Sequence, residues 1–157
     1  MLPALEATLV KPKNPATVCL ELDEMWSFVR QKARKRWVWL ALCKNTRQVV
    51  ACVVGGRGIA TCRQLWKAVP YVFKQGVCFT DFWEAYKAVI PDEHHQAVGK
   101  DSGLTAHVER LNNTIRQRLA RFVRKSLSFS KSDEMHLTCL HLFLHRYNLE
   151  RAAVIRD

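Results

Sequence analysis

The alternation of apolar and polar residues divides the chain into a strand-rich first part and a helix-rich second part. Three apolar runs with the composition of strands lie at about 18 to 28, 36 to 43 and 48 to 55. The connection Lys44-Asn45-Thr46-Arg47 has the length of a hairpin turn. Since the connections are short and polar, the three strands are predicted to form an antiparallel meander.

After Gly58 the apolar residues change to helical spacing, and a proline ends each of the first two predicted helices. The predicted elements are a helix at about 59 to 69, a strand at 77 to 81, a helix at 83 to 90, a strand near 95 to 98, and helices at about 105 to 125 and 131 to 148. This order is typical of a ribonuclease-H-like, retroviral-integrase-like α/β fold, which has a mixed five-stranded sheet with flanking helices.

A chain of 157 residues is long enough for one domain with its own core. We predict a linker or lead-in segment at 1 to 17, an α/β domain at 18 to 150, and a C-terminal tail at 151 to 157. The six cysteines form no C-x-x-C pair, which argues against a disulfide framework. No run of 18 apolar residues is present, so we expect a cytoplasmic, nucleoid-associated protein without a membrane segment.

The charge of the chain indicates a polyanionic partner. There are 25 Lys and Arg residues against 14 Asp and Glu residues, which gives a formal net charge of +11. A basic RNA-binding protein with incidental acids would have a similar charge. The content of hydrophobic residues, 48%, and the five tryptophans indicate instead a domain that forms a core and acts on nucleic acid.

Three carboxylates occupy positions where a purely structural acid is out of place. Asp23 interrupts an apolar strand, Asp81 ends another strand, and Glu109 opens the long helix. A carboxylate that is removed from water needs a cation, hydrogen bonds or a metal. In the predicted fold the strands that carry the two aspartates are parallel neighbours, and the helix brings Glu109 over them. The three acids are therefore predicted to converge on divalent metal, with Mg²⁺ or Mn²⁺ suited to oxygen ligands.

Basic residues cluster at two other places. The first is a loop that contains Lys32, Arg34 and Lys35, which is either a solvated hairpin tip or a contact to phosphate. The second is the long helix, where Glu109 is the only acid. Its candidate contacts to a DNA backbone are Asn112, Arg116, Arg118, Arg121, Arg124 and Lys125.

Three stretches carry a family resemblance. They are ELDEMWSFV at 21 to 29, CFTDFWEAY at 78 to 86 and HVERLNNTIRQRLARFVRKSLSFSKS at 107 to 132. Together they resemble the catalytic domain of transposases of the insertion-sequence-one family over roughly residues 18 to 150. The resemblance implies a DDE transposase with Asp23, Asp81 and Glu109 as catalytic residues and metal ligands. It also implies two Mg²⁺ ions, for which Mn²⁺ can substitute, transposon-end and target DNA as partners, and a homo-oligomer as the active form.

Glu24, Asn112 and Arg116 match neighbouring family positions and are weaker site candidates. Members of this family carry an N-terminal zinc-finger and helix-turn-helix region, which we expect in the full-length transposase. Paired cysteines or histidines of that kind do not precede Val18, so the chain resembles the catalytic portion alone. Two alternatives stay open: a non-catalytic DNA-binding regulator or partner of a full-length transposase, and a nuclease without strand transfer.

Overall fold

The computed structural model describes residues 4–28, 35–125 and 133–156. Within them, five strands form one sheet in the spatial order β3-β2-β1-β4-β5. The strands are β1 (Cys19–Phe28), β2 (Lys35–Cys43), β3 (Val49–Gly55), β4 (Val77–Thr80) and β5 (His95–Ala97). The pairs β1–β2 and β2–β3 are antiparallel, whereas β1–β4 and β4–β5 are parallel. The predicted mixed five-stranded fold is confirmed.

In the described part of the chain, four α-helices flank the sheet: α1 (Ile59–Ala68), α2 (Glu84–Val89), α3 (Ala106–Lys125) and α4 (Asp133–Arg156). Alternate residues of a strand point to opposite faces of the sheet, and two core clusters result. Leu20, Leu22 and Trp39 pack with α1 and α2, for example against Leu65 and Tyr86. On the other face, Met25, Val38 and Leu40 pack with residues of α3 and α4. The protein is therefore a sheet between two helical layers.

The two central strands separate where the predicted acids begin. β1 pairs with β4 only from Cys19 to Glu21, opposite Val77 to Phe79. Beyond Glu21, β1 continues beside β2 alone, and β4 ends at Thr80. The parallel pair can form because Gly76 precedes it: a Cβ at Gly76 would lie 1.8 Å from the carbonyl oxygen of Val18. The separation opens a cleft at the carboxyl ends of β1 and β4.

Two features near the chain ends were not predicted from the sequence. The last helix continues to Arg156, two turns beyond its predicted end at Asn148. In the lead-in segment, Thr8 is buried against the body of the domain, where its carbonyl oxygen accepts a hydrogen bond from Gln48 Nε2 at 2.9 Å. The domain boundaries at 18 and 150 stay a prediction.

All six cysteines are free thiols. No helix in the described ranges is both long and apolar enough to cross a membrane.

Candidate active site

Asp23, Glu24 and Asp81 form a tight group of carboxylates at the mouth of the cleft. One carboxylate oxygen from each residue lies within 4.8 Å of the other two. Asp23 and Glu24 come from β1, and Asp81 is the first residue after β4. The backbone N–H of Trp83 donates a hydrogen bond to Asp81 Oδ1 at 2.9 Å, which holds that carboxylate at the end of its strand. The parallel pairing of β1 and β4 thus brings Asp23 and Asp81 together.

The pKa of Asp23 is shifted strongly by its surroundings in the site. Burial, together with the neighbouring Glu24 carboxylate, raises the pKa of Asp23 to about 7. The side chain of Asn112 partly opposes this, because its Nδ2 donates a hydrogen bond to Asp23 Oδ2 at 2.8 Å. Asn112 Oδ1 is buried and accepts no hydrogen bond within the described part of the chain. A cation near these oxygens would relieve both the charge of Asp23 and the unpaired amide oxygen.

Glu24 is more buried than Asp23, with only 2% of its side chain exposed. Burial raises its pKa, while a hydrogen bond from the Tyr86 hydroxyl and the charge of Arg57 lower it. Tyr86 donates to Glu24 Oε2, and Arg57 Nη2 lies 3.4 Å from Oε1. The sequence ranked Glu24 below Asp23, yet it is Glu24 that joins the two aspartates in the group. Its signal in the sequence was its position as the third acid of the E-L-D-E run on a buried strand.

Glu109 lines the same cleft but does not belong to the tight group. Its Oε1 accepts a hydrogen bond from Thr105 Oγ1 at 2.9 Å, one helical turn earlier. The cleft has a volume of about 320 Å³. Its lining residues are Asp23, Glu24, Arg57, Asp81, Lys100, Glu109, Asn112, Asn113 and Arg116. The structure therefore brings all three predicted acids to one cleft, with Glu109 apart from the other two.

A fifth acid, Glu21, fixes the start of the helix that carries Glu109. Its carboxylate is fully buried and accepts hydrogen bonds from the backbone N–H groups of His107 at 2.9 Å and Val108 at 3.3 Å. His107 Nδ1 lies 2.8 Å from the other carboxylate oxygen. The first N–H groups of a helix have no partner within it, and a carboxylate there also suits the helix dipole. The sequence feature that could have indicated this role is the strand alternation, which places Glu21 on the same face of the sheet as Asp23.

The predicted basic contacts occupy different positions. Arg116 lines the cleft, and Arg118 is exposed on α3. Arg121, Arg124 and Lys125 belong to the last turns of α3, and Lys35 begins β2. Lys32 and Arg34 lie outside the described residues. Sequence reasoning missed Arg57 and Lys100, since each enters the cleft from a loop or turn with no periodic signal.

The fold is similar to that of a known integrase. Over 85% of this chain and 83% of the other, it superposes with a TM-score of 0.52 on the "HTLV-2 integrase catalytic core domain in complex with magnesium (trimeric form)". The sequence identity is 12%, so this similarity establishes the fold alone. The class is thus that of ribonuclease-H-like domains of the retroviral-integrase type.

The sequence places the chain more narrowly. A family model for the IS1 transposase matches residues 16–149. The chain is 39% identical over 132 residues to the insertion element iso-IS1n protein InsB of Shigella dysenteriae, covering 84% of this chain and 97% of that protein. It is 42% identical over 119 residues to the IS1 protein InsB of Shigella flexneri, covering 76% and 88%. The chain belongs to the IS1 transposase family, as the motif resemblance indicated, and has the fold of a transposase catalytic domain.

Proposed function

We propose that this chain cleaves transposon ends and joins the freed 3′-hydroxyl to target DNA. The observation that carries the proposal is the meeting of Asp23, Glu24 and Asp81 within 4.8 Å, in a cleft that Glu109 also lines. Carboxylates held this close repel one another unless a cation lies between them. Among the described residues, Arg57 forms an ion pair with Glu24, and no lysine or arginine forms one with Asp23 or Asp81.

The residues of the cleft fit divalent metal. Their donors are hard oxygens, the charge of Asp23 is disfavoured in the absence of a cation, and Asn112 Oδ1 has no other partner among the described residues. Asp23 and Asp81 would hold the ions, and Glu109 would complete the set. We propose two Mg²⁺ ions, with Mn²⁺ able to substitute. When bound, such ions activate the attacking water or 3′-hydroxyl and neutralise charge on the leaving oxygen.

The charge of the cleft supports DNA as the substrate. Four acids and three cations line it, so a single divalent ion makes the lining positive. Arg116 of α3 lines the cleft, Arg118 is a second exposed cation on the same helix, and the net charge of +11 makes the surface of the chain basic as a whole. Such a surface attracts a phosphate backbone and holds it next to the carboxylates.

The active form is proposed to be a homo-oligomer, and the full-length transposase to carry an N-terminal zinc-finger and helix-turn-helix region that recognises the transposon ends. The acids described above would supply the chemistry. The basic residues of α3, together with Lys32, Arg34 and Lys35, would hold the DNA without reading its sequence.

The test is nicking and strand joining on DNA with exposed 3′ ends, in the presence of Mg²⁺ or Mn²⁺. We expect the Asp81→Asn variant to keep its fold and its DNA affinity and to form at least about 100-fold less joined product. Replacing a residue that only hydrogen-bonds to a metal ligand costs up to about 100-fold in activity, and replacing a residue that binds the metal directly should cost more. The control is Asp92→Asn, which removes an exposed acid outside the cleft.

A fully active Asp81→Asn protein would contradict the assignment of this acid. Cut but unjoined DNA would favour a nuclease. If the wild-type protein binds DNA without cutting or joining it, both alone and fused to an N-terminal recognition region, the regulatory alternative is favoured.

A further inference from the structure

We propose that Arg57 is a phosphate-binding residue of the cleft, held in a fixed orientation by two tryptophans; this inference rests on the proposed function. The guanidinium carbon of Arg57 lies 4.5 Å from the ring centroid of Trp37 and 4.5 Å from that of Trp83. The three residues are called the arginine clamp below. They come from β2, the loop between β3 and α1, and the loop after β4.

The clamp leaves most of the guanidinium donors free. Within the described ranges, the one hydrogen bond of the Arg57 side chain is that from Nη2 to Glu24 Oε1, at 3.4 Å. An arginine presents several N–H donors in a planar fork that matches the oxygens of a phosphate. Of the Arg57 side chain, 44% is exposed, compared with 2% for Glu24. Because Arg57 also lines the cleft, an anion in the cleft can reach this exposed side chain.

Stacking on the indole rings reduces the cost of binding. A free arginine side chain loses rotamer freedom when it grips a phosphate. The rings of Trp37 and Trp83 restrict Arg57 before any ligand arrives. Trp37 also packs against the hydrophobic core, so the ring that restricts Arg57 is itself held in place by the domain. A guanidinium restricted in this way can bind a phosphate in one defined orientation, in addition to contributing positive charge.

Trp83 connects the clamp to the acids. Its indole Nε1 donates a hydrogen bond to the carbonyl oxygen of Arg57 at 3.0 Å, and its backbone N–H donates to Asp81 Oδ1 at 2.9 Å. A single residue thus fixes both the loop that carries Arg57 and the carboxylate of Asp81. A phosphate held by Arg57 would have a defined position relative to Asp81, as a phosphodiester next to the reacting bond requires.

The experiment measures DNA affinity of the full chain over a series of salt concentrations, with Ca²⁺ replacing Mg²⁺ so that the DNA stays intact. The variants are Arg57→Gln, Arg57→Lys and the control Arg146→Gln. Arg146 is exposed on α4, pairs with Glu150 and does not line the cleft. The logarithm of DNA affinity falls linearly with the logarithm of salt concentration. Each phosphate contact that is lost makes this negative slope shallower by about 0.9.

We expect Arg57→Gln to make this slope shallower by about one and Arg146→Gln to leave it unchanged. Arg57→Lys should keep the slope, because the charge remains, yet reduce strand joining by about 10-fold or more, because lysine lacks the planar fork. Urea unfolding checks that each variant is folded. An unchanged slope in Arg57→Gln, or an equal change in the control, would overturn the proposal, even if the variant were less stable.

The readouts separate this inference from the proposed function. Salt dependence is measured without turnover, so it tests Arg57 even if the wild-type protein neither cuts nor joins DNA. Conversely, an active wild-type protein whose slope and joining rate do not respond to Arg57→Gln would leave the proposed function intact and exclude the clamp as a phosphate site.

Discussion

At the scale of single residues, Asp23 shows how the site differs from an ordinary surface acid. Burial and the carboxylate of Glu24 raise its pKa to about 7 from the usual 3.8. The folded state then binds a proton more tightly than the unfolded state does. In the metal-free protein, the free energy of unfolding therefore falls as the pH rises from about 4 to about 7, and this contribution is level above that range.

Replacing Asp23 by Asn should remove this fall in the free energy of unfolding with rising pH. With EDTA present, we expect the Asp23→Asn variant to be more stable than the wild type by on the order of 2 kcal/mol near pH 8, and equal to it near pH 4. Urea unfolding at both pH values measures the difference. The exposed acid Asp92 provides the control, as Asp92→Asn should be neutral at both. A stability gain that did not depend on pH would exclude the ionised Asp23 as its source.

The sequence singled out Asp23, Asp81 and Glu109 as candidates because each breaks a local pattern or begins a new one. It gave less weight to Glu24, whose role depends on Tyr86 and Arg57, residues that lie 62 and 33 positions away along the chain. Arg57 stands in a glycine-rich loop where no periodicity exists. Its two tryptophans come from different elements, so only the folded chain reveals the clamp.

At the scale of elements, the junction of β1 with α3 decides where Glu109 lies. The Glu21 carboxylate accepts two backbone hydrogen bonds from the first turn of the helix and pairs with His107. Glu109 follows His107 by two residues, so any shift of the helix start moves it relative to Asp23. Glu21 is thus a positioning residue and does not itself line the cleft.

We expect Glu21→Gln to cost about 1–3 kcal/mol, since an amide cannot accept all the hydrogen bonds that the buried carboxylate accepts. Strand joining should fall as well, because Glu109 loses its fixed position. Urea unfolding and the joining assay measure the two effects. The matched change Glu93→Gln, at an exposed acid, should lower neither the stability nor the strand joining. A Glu21→Gln protein with normal stability and activity would show that α3 is positioned by its apolar contacts alone.

Element boundaries were predictable where a residue type ends the element. Proline follows the predicted ends of the first two helices, and the observed helices end at Ala68 and Val89. α4 has no such stop: after Asn148 come Leu149, Ala152 and Val154, which continue the helix to Arg156. The sequence contained no reason to end this helix at Asn148, and the early end was wrong.

At the scale of the whole molecule, a buried polar network ties three distant parts of the chain together. Asn148 Nδ2 donates hydrogen bonds to Thr8 Oγ1 at 2.9 Å and to the carbonyl oxygen of Val49 at 2.8 Å. Asn148 Oδ1 accepts one from the N–H of Val49 at 2.8 Å. Gln48 completes the network, with hydrogen bonds to Val10 and to the carbonyl oxygens of Thr8 and Asn148. It joins the lead-in segment, β3 and α4.

We expect Asn148→Ala to lower the free energy of unfolding by about 3 kcal/mol, because both backbone groups of Val49 lose a buried partner. Asn148 does not line the cleft, so strand joining at temperatures where the variant is folded should be unchanged. Urea unfolding gives the first quantity, and Gln64→Ala, at an exposed position of α1, is the control. A cost no larger than that of the control would mean that water replaces the amide in this network.

The sequence alone determined the order of strands and helices, the antiparallel meander, the family and the acids worth testing, because each of these is encoded in local periodicity, residue type or short motifs. The tertiary structure decided which side chains meet. Glu21 contacts His107, which is 86 positions away, and Asn148 contacts Thr8, 140 positions away. Such contacts depend on how strands pair and helices pack, so no local pattern contains them, and they set the geometry of the cleft.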